Sequence, residues 1–194
     1  MKSSAAVILA AGASVRLGEP KQLVTLAGKS LLERAVNIAE DAGCYPVVVV
    51  LGANAARIQA KCSLVSAQVV INEAWSEGMA TSIRGGIAAL ADVEATILMT
   101  CDQPAVTSEH LRRLIALCDA APIASSYAGR LGVPACFPAS CFRALLQLEG
   151  DAGARRMLES AQSVELPGGE LDIDTPAALA TARELYERST AKRD

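Results

Sequence analysis

Short apolar runs alternate with amphipathic stretches along the chain. Runs such as PVVVVL and ATILMT are apolar over nearly their whole length, which is typical of strands covered on both faces in a parallel sheet. Because helical patterns separate these runs, the sequence predicts an α/β fold with a mostly parallel sheet and helices on both of its faces. Seven strands are predicted, at residues 5–9, 46–51, 68–72, 95–100, 123–127, 133–137 and 164–166.

The clearest helix is predicted in the stretch SLLERAVNIAEDAG. Ser30 and Glu33 form a capping box, apolar residues recur at helical spacing after them, and Gly43 follows the expected end. Further helices are predicted to begin at Thr107 or Ser108 and in the stretch TPAALATARELYERS. These helices supply the crossovers that parallel strands need.

One region breaks this alternation. The stretch YAGRLGVPACFPASCF has turn signals around Gly129 and Gly132 ahead of a short strand, which indicates a hairpin-like insertion rather than another helical crossover. The sheet is therefore expected to be mixed. No linker or repeat divides the chain, so we expect a single domain over residues 1–194.

Composition narrows the class of protein. Hydrophobic residues make up 52% of the 194 residues and charged residues 20%, as in a globular chain. The net charge of −3 disfavours a general nucleic-acid binder, and no apolar stretch is long enough to span a membrane. None of the six cysteines forms a Cys-x-x-Cys pair, so we expect buried thiols in a reducing cytoplasm. The one histidine, His110, is expected to lie on the surface or to pack inside rather than to act as a catalyst.

The first predicted strand leads into a loop rich in small residues, LAAGASVRLGEPK. In open α/β sheets, ligands bind beyond the carboxyl ends of the strands, which is where this loop begins. Gly12 and Gly18 allow close approach of the backbone, and Arg16 and Lys21 add charge suited to phosphates. The loop fits neither the Walker pattern nor the dinucleotide fingerprint, because its glycines are differently spaced. Taken alone, it is either a polyphosphate-binding loop or a solvated turn with two surface cations.

A resemblance bears on this choice. Over thirteen positions, LAAGASVRLGEPK is similar to the signature Leu-Ala-x-Gly-x-Ser-x-Arg-x-Gly-x-x-Lys of the nucleotidyltransferase superfamily with a GT-A-like, Rossmann-like fold. Within it, the chain most resembles the molybdenum cofactor cytidylyltransferase-like (MobA-like NTP transferase) family. The resemblance implies that Arg16 and Lys21 contact the phosphates of a nucleoside triphosphate. The other loop residues that it implies in nucleotide binding are Leu9, Ala10, Ala11 and Gly12.

Two aspartates stand near the ends of apolar segments. Asp102 ends the stretch ILMTCD, and Asp174 precedes a helix start in DIDTP, where a capping role is an alternative. A carboxylate at the end of a buried strand is costly without a partner, and Mg²⁺ prefers carboxylate oxygens together with substrate phosphates. The resemblance implies that Asp102 and Asp174 bind Mg²⁺ and that Asp102, Arg16 and Lys21 are catalytic. Asp172 matches a less consistently functional position and is not assigned.

The resemblance also divides the site between two parts of the chain. Residues 1–105 are expected to bind the nucleotide, and residues 106–188 the acceptor. The resemblance assigns Gly78 and Ser82, near a predicted helix start, to the nucleobase and ribose. A helix N-terminus offers free N–H donors to a polar ligand, although a capped and closely packed helix is the alternative from sequence.

The acceptor side carries a second motif and one departure from the family. Gly150, Asp151 and Arg155 resemble a Gly-Asp-x-Gly-x-Arg motif that binds the acceptor, although a helix cap with a surface arginine is an alternative from sequence. Val133 stands where many relatives carry a histidine. The contact that this histidine makes in relatives is therefore lost here.

These observations predict a cytoplasmic, Mg²⁺-dependent nucleotidyltransferase. The resemblance implies transfer of CMP from CTP to the phosphate of molybdopterin with release of pyrophosphate, and Ala11 favours CTP because the guanylyl branch usually has a second glycine there. The alternatives are a GTP-dependent guanylyltransferase, an NTP transferase for another phosphorylated acceptor, and a non-catalytic nucleotide-binding chaperone for a molybdoenzyme. The expected partners are the nucleotide, the acceptor and, transiently, a molybdoenzyme, with neither nucleic acid nor a membrane.

Overall fold

A computed structural model describes residues 3–151 and 153–190 of the chain. The strands are β1 (Ser4–Ala10), β2 (Thr25–Leu26), β3 (Lys29–Ser30), β4 (Val47–Leu51), β5 (Gln68–Ile71), β6 (Ala95–Thr100), β7 (Ile123–Tyr127), β8 (Arg130–Pro138) and β9 (Gln162–Glu165). The helices are α1 (Leu31–Asp41), α2 (Ala55–Lys61), α3 (Met79–Ala88), α4 (Ser108–Leu117), α5 (Phe142–Leu145), α6 (Arg155–Leu158) and α7 (Pro176–Thr190). Within these described ranges, no helix combines the length and the apolar character needed to cross a membrane.

Seven strands form one sheet in the order β5-β4-β1-β6-β8-β7-β9. Strands β5, β4, β1 and β6 run parallel to their neighbours in this series, whereas β8 runs antiparallel to both β6 and β7. Strand β9 returns parallel to β7. The predicted mixed, mostly parallel sheet is thus confirmed, and the predicted hairpin-like insertion is the β7–β8 pair.

Two strands differ from their predicted bounds by more than one residue at an end. β8 begins at Arg130 rather than at 133, because Arg130 pairs with Tyr127 across a tight turn in which Ala128 and Gly129 both have positive φ. β9 covers Gln162–Glu165 rather than 164–166, and three of its four residues are exposed. A polar edge strand of this kind lacks the apolar run on which the prediction relied.

The two faces of the sheet are covered by different helices. On one face, Ile8 and its neighbours pack in a buried cluster with residues of α1, α2 and α4. On the other, Val7 packs in a cluster with residues of α3, α5 and α6. Because successive residues of β1 point to opposite faces, both faces need apolar side chains, which explains the unbroken apolar run.

A third, smaller apolar cluster joins the first loop to the C-terminal helix. Leu17 and Val24, on either side of Lys21, pack with Ile173 and with Leu179 of α7. This cluster brings a segment near residue 20 next to one near residue 174.

Helix α3 lies so close to β1 that Gly86 leaves no room for a side chain. A Cβ at Gly86 would lie 2.3 Å from Val7 Cγ1 and 3.1 Å from Val50 Cγ2, whereas one at Gly85 would meet only Val70 Cγ1, at 3.7 Å. We expect Gly86→Ala to lower the free energy of unfolding by about 1–3 kcal/mol, because it overpacks the core. The control, Gly85→Ala, should raise it by about 0.5–1 kcal/mol, because alanine favours a helix over glycine. Urea unfolding measures both, and equal midpoints would contradict this packing.

Candidate active site

A cavity of about 960 Å³ opens at the carboxyl ends of β1 and β6. Its walls come from both parts of the chain that the sequence assigns to the nucleotide and to the acceptor. Of the predicted site residues, it is lined by Leu9, Ala10, Ala11, Gly12, Lys21, Gly78, Ser82, Asp102, Asp151, Arg155 and Asp174. Arg16 and Gly150 are not among the lining residues, but each contacts one that is.

Lys21 lies between the two aspartates that the sequence singles out. Its Nζ donates to Asp102 Oδ2 and, over 2.7 Å, to Asp174 Oδ1. Arg16 donates to the other oxygen, Asp174 Oδ2, over 2.8 Å. The side chains of Lys21 and Asp102 are only 18% and 8% exposed, whereas that of Arg16 is 72% exposed. The inner ion pair is therefore largely shielded from water, and the outer one is not.

The charges in this cluster shift two pKa values. Burial by itself would lower the pKa of Lys21, but the charge of Asp102, with hydrogen bonds to Asp102 and Asp174, raises it above its usual range. Burial, with repulsion from Asp102 and Asp174, raises the pKa of Asp172 to about 6. Asp172, which the sequence did not assign, is thus a cavity-lining carboxyl group in the same cluster.

Backbone contacts fix the two aspartates beside each other. Asp102 follows β6, and its carbonyl oxygen accepts a hydrogen bond from the N–H of Ile173 over 2.9 Å. Ile173 is itself fully buried in the small apolar cluster. The segment that carries Asp174 is therefore anchored to the end of the central sheet.

Gln22 joins the turn that carries Lys21 to the backbone at the start of the first loop. Its side chain is fully buried, and Nε2 donates to the carbonyl oxygens of Ala10, over 2.6 Å, and Gly12, over 3.2 Å. The sequence analysis missed this residue, whose one signal is its place directly after Lys21. Gln22 thus holds the loop backbone and the lysine in a fixed relation.

The N-terminus of α3 forms the wall at Gly78 and Ser82. Gly78 has φ of 121°, and a Cβ there would lie 2.6 Å from the carbonyl oxygen of Gly150. Asn72 Nδ2 donates to Ser82 Oγ over 2.9 Å and to Thr81 Oγ1 over 2.8 Å. The Ser82 hydroxyl is therefore oriented by a neighbouring strand-end residue.

The Gly-Asp motif of the acceptor side contacts this same helix end. The N–H of Ala80 donates to the carbonyl oxygen of Gly150 over 3.1 Å, and the N–H of Met79 donates to Asp151 Oδ1 over 3.2 Å. Asp151 thus bonds to the start of α3 rather than capping the helix that follows it in sequence. Arg155 begins α6 and lines the cavity.

Hairpin β7–β8 supplies five of the lining residues that the sequence did not assign. The Tyr127 hydroxyl donates to the carbonyl oxygen of Val133 over 3.1 Å, and Arg130 Cζ lies 5.4 Å from the centre of the Tyr127 ring. These three residues line the cavity with Leu131 and Gly132. The hairpin was visible in the sequence, but the direction of its side chains was not.

His110 packs inside the protein, which is one of the two placements that its sequence context allowed. It is 5% exposed, and its Nε2 lies 2.7 Å from Ser125 Oγ, which donates in turn to the carbonyl oxygen of Pro134. His110 is not among the cavity-lining residues. The six cysteines are free thiols, and five of them are buried as predicted, whereas Cys141 is only partly buried.

We expect the imidazole of His110 to stay neutral well below pH 6.5. Burial, with the charge of Arg113, lowers its pKa to about 4, whereas an unfolded histidine titrates near 6.5. Its contribution to stability is therefore complete above pH 6.5 and is lost as the pH falls toward 4, by an amount on the order of 3 kcal/mol. As the chain has one histidine, a single imidazole NMR resonance follows this titration. A midpoint near 6.5 would contradict the expectation, and His110→Asn should flatten this part of the stability profile.

Comparison with known proteins extends over most of the chain. The MobA-like NTP transferase domain family matches residues 6–165. The chain is 36% identical over 162 residues to the nicotine blue oxidoreductase of Paenarthrobacter nicotinovorans, covering 78% of this chain and 79% of that protein. It is 31% identical over 191 residues to the purine catabolism protein PucB of Bacillus subtilis (strain 168), covering 88% and 91%. A probable molybdenum cofactor guanylyltransferase of Bacillus cytotoxicus is 30% identical over 116 residues, covering 59% and 56%.

Solved structures agree with this result. The Rv0371c protein of Mycobacterium tuberculosis H37Rv has a TM-score of 0.85 at 30% identity, covering 94% of this chain and 98% of that one. Its manganese complex has a TM-score of 0.79 at 27% identity, covering 95% and 99%. The nucleotidyl transferase Mth528 from Methanothermobacter has a TM-score of 0.84 at 25% identity, covering 96% and 99%.

Proposed function

Since the chain belongs to the MobA-like NTP transferase domain family and is a nucleotidyltransferase, we propose that it transfers CMP from CTP to the phosphate of molybdopterin, in a Mg²⁺-dependent reaction that releases pyrophosphate. One observation carries this proposal: the Lys21 ammonium lies between Asp102 and Asp174 in a cavity whose lining includes the first loop. A cation and two carboxylates at this position suit a triphosphate that enters with a divalent ion.

The proposed reaction is a single displacement. An oxygen of the acceptor phosphate forms a bond to the α-phosphorus of CTP, and the bond from that phosphorus to the α,β-bridging oxygen breaks. Pyrophosphate leaves with the electron pair of that bond. A phosphate nucleophile is already anionic at neutral pH, so no general base is required. Catalysis then consists of alignment and charge neutralisation.

The first loop would hold the triphosphate. Ala11 and Gly12 line the cavity, and Lys21 reaches it from the following turn. Lys21 and Arg16 would neutralise charge on the β- and γ-phosphates and on the departing pyrophosphate. We propose that residues 1–105 bind the nucleotide, with Gly78 and Ser82 beside the ribose and base, and that residues 106–188 bind the acceptor.

The donor set at the aspartates fits a hard divalent cation. Asp102 and Asp174 both reach the single atom Lys21 Nζ, so one ion could contact both carboxylates. Among the residues that the structure describes, no group of three His, Cys, Asp or Glu side chains could enclose a metal. Mg²⁺ is usually held by one or two carboxylates, with water and substrate phosphates completing its shell. When bound, the ion would polarise the α-phosphate. The manganese complex of the related Rv0371c protein supports a divalent ion.

Two observations bear on the choice of substrates. The relative named as a probable molybdenum cofactor guanylyltransferase supports the acceptor class, while Ala11 favours CTP over GTP. The alternatives within the class are a guanylyltransferase and a transferase for another phosphorylated acceptor. A non-catalytic chaperone for a molybdoenzyme is disfavoured, because Lys21, Asp102 and Asp174 are all present and form ion pairs. The buried thiols support a cytoplasmic location.

A pyrophosphate-release assay tests the proposal. The protein is mixed with Mg²⁺, molybdopterin and each of the four nucleoside triphosphates in turn, and CTP is expected to give the fastest release. Faster release with GTP would identify a guanylyltransferase. Tight binding without turnover of any nucleotide would favour the chaperone. Oxidation or reduction of nicotine blue in a parallel assay would favour the activity named for the oxidoreductase relative.

A thermal-shift comparison tests the nucleotide separately from the acceptor. With Mg²⁺ present, CTP should raise the unfolding temperature more than GTP at equal concentration, because only tighter binding to the folded state raises it further. A larger shift with GTP would contradict the assignment of CTP whatever the acceptor is.

A further inference from the structure

We infer that Lys21 has a second role besides contacting phosphates: in the nucleotide-free enzyme its ammonium group holds the position of the metal ion, so that metal and nucleotide bind as a pair. This inference rests on the proposed function, because it concerns the same carboxylates and the same nucleotide. It adds a coupling between metal binding and nucleotide binding that the transfer reaction alone does not require.

The geometry makes lysine and metal mutually exclusive. Lys21 Nζ is hydrogen-bonded to Asp102 Oδ2 and lies 2.7 Å from Asp174 Oδ1. A Mg²⁺ ion bound by the same two oxygens would lie about 2.0–2.1 Å from each, hence in the space that Nζ occupies. The lysine must therefore leave before an ion can contact both carboxylates.

Moving the Lys21 ammonium away from the two carboxylates costs free energy unless it pairs with another anion. The Lys21 and Asp102 side chains are largely shielded from water, and separating a shielded ion pair leaves an uncompensated charge. A metal ion that arrives alone compensates the carboxylates but not the displaced ammonium. A triphosphate compensates the ammonium, since it brings its own negative charge into the same cavity.

Arg16 adds a second, weaker competitor. It bonds to the outer oxygen of Asp174 and is mostly exposed, so it can leave at little cost. Lys21 is therefore the residue that sets the coupling. By linkage, any factor by which the nucleotide strengthens metal binding must equal the factor by which the metal strengthens nucleotide binding.

Mn²⁺ binding without nucleotide provides a test that does not depend on turnover. Free Mn²⁺ is titrated by electron paramagnetic resonance against wild type, Lys21→Met and the matched control Lys29→Met, which removes an exposed lysine on β3. Lys21→Met should bind Mn²⁺ about tenfold more tightly than wild type, as expected for the loss of one competing ion pair of about 1.4 kcal/mol. Lys29→Met should bind it as wild type does.

A double variant separates failure of this inference from failure of the proposed metal site. Lys21→Met combined with Asp102→Asn should lose the tightened binding. If the double variant binds Mn²⁺ more weakly than Lys21→Met, but Lys21→Met binds it no more tightly than wild type, the inference is wrong and the metal site stands. If the double variant binds Mn²⁺ as tightly as Lys21→Met, the ion lies elsewhere, and the metal part of the proposed function fails with the inference.

Two further measurements keep the test decisive. Circular dichroism reports whether Lys21→Met folds, and Lys21→Gln replaces it if it does not, with the same expected tightening. In wild type, a non-hydrolysable α,β-methylene analogue of CTP should strengthen Mn²⁺ binding by a larger factor than in the variant, because only wild type has a lysine to displace. Equal factors would overturn the inference.

Discussion

Asp102→Asn is expected to lower kcat by about a thousandfold or more while the protein stays folded. Asparagine has nearly the shape of aspartate but no charge, so it removes one of two carboxylates proposed to hold the metal. It also removes the buried partner of Lys21. The loss should appear in kcat rather than only in KM for CTP, because the charge that the metal would stabilise develops during the transfer.

Pyrophosphate release at saturating CTP, acceptor and Mg²⁺ measures this effect. Asp92→Asn, at an exposed aspartate, is the matched control and should keep wild-type turnover. Thermal unfolding of the variant checks that it remains folded. We expect that it does, because Asp174 still pairs with Lys21. Turnover within tenfold of wild type would show that Asp102 does not hold the catalytic metal.

Lys21→Met should reduce kcat/KM by about two to three orders of magnitude, as is usual when one preorganised donor to a developing charge is lost. The same substitution is expected to tighten Mn²⁺ binding in the absence of nucleotide. These opposite signs distinguish a residue that both competes with the metal and serves the transfer from one that only stabilises the fold. Mutation of a residue that only stabilises the fold would weaken both Mn²⁺ binding and the transfer reaction.

Arginine should not replace Lys21. Its planar guanidinium presents a rigid fork, whereas Lys21 places one compact ammonium between two carboxylates. Steady-state kinetics on Lys21→Arg and Lys21→Met, with Lys29→Met as control, measure the effect. Full activity in Lys21→Arg would mean that charge alone, and not the position of Nζ, matters at this site.

Sequence patterns were sufficient for the central sheet because its determinants are local. Each inner parallel strand is a short apolar run, and the capping box of Ser30 and Glu33 forms at the start of α1 as its spacing predicts. The strand-end position of Asp102 likewise followed from the apolar run before it. Edge strand β9 was misplaced because its exposed residues carry no such pattern.

Contacts between segments that lie far apart in the chain could not be predicted from the sequence. Lys21 is 81 residues from Asp102 and 153 from Asp174, and nothing in its local pattern indicates that they form ion pairs. The sequence therefore assigned this lysine to phosphates alone. Asp151 is a similar case, because its bond to the N–H of Met79 spans 72 residues.

The hydrogen-bond partners of buried polar residues could not be predicted, for the same reason. Gln22 can be buried because its side chain bonds to two loop carbonyl oxygens, and His110 because its ring bonds to the Ser125 hydroxyl. Composition can say that such residues need hydrogen bonds when buried, but not where the partners are.

The apolar cluster that joins Leu17 and Val24 to Ile173 and Leu179 connects the C-terminal helix mechanically to the ion pair between Lys21 and Asp174. It braces the turn that carries Lys21 against the segment that carries Asp174, so the ion pair between them is held by hydrocarbon as well as by charge. A force or a binding partner that lifted α7 from the body of the protein would separate cation from carboxylate without touching either. The position of helix α7 is thus coupled to the ion pair that lies in the cavity.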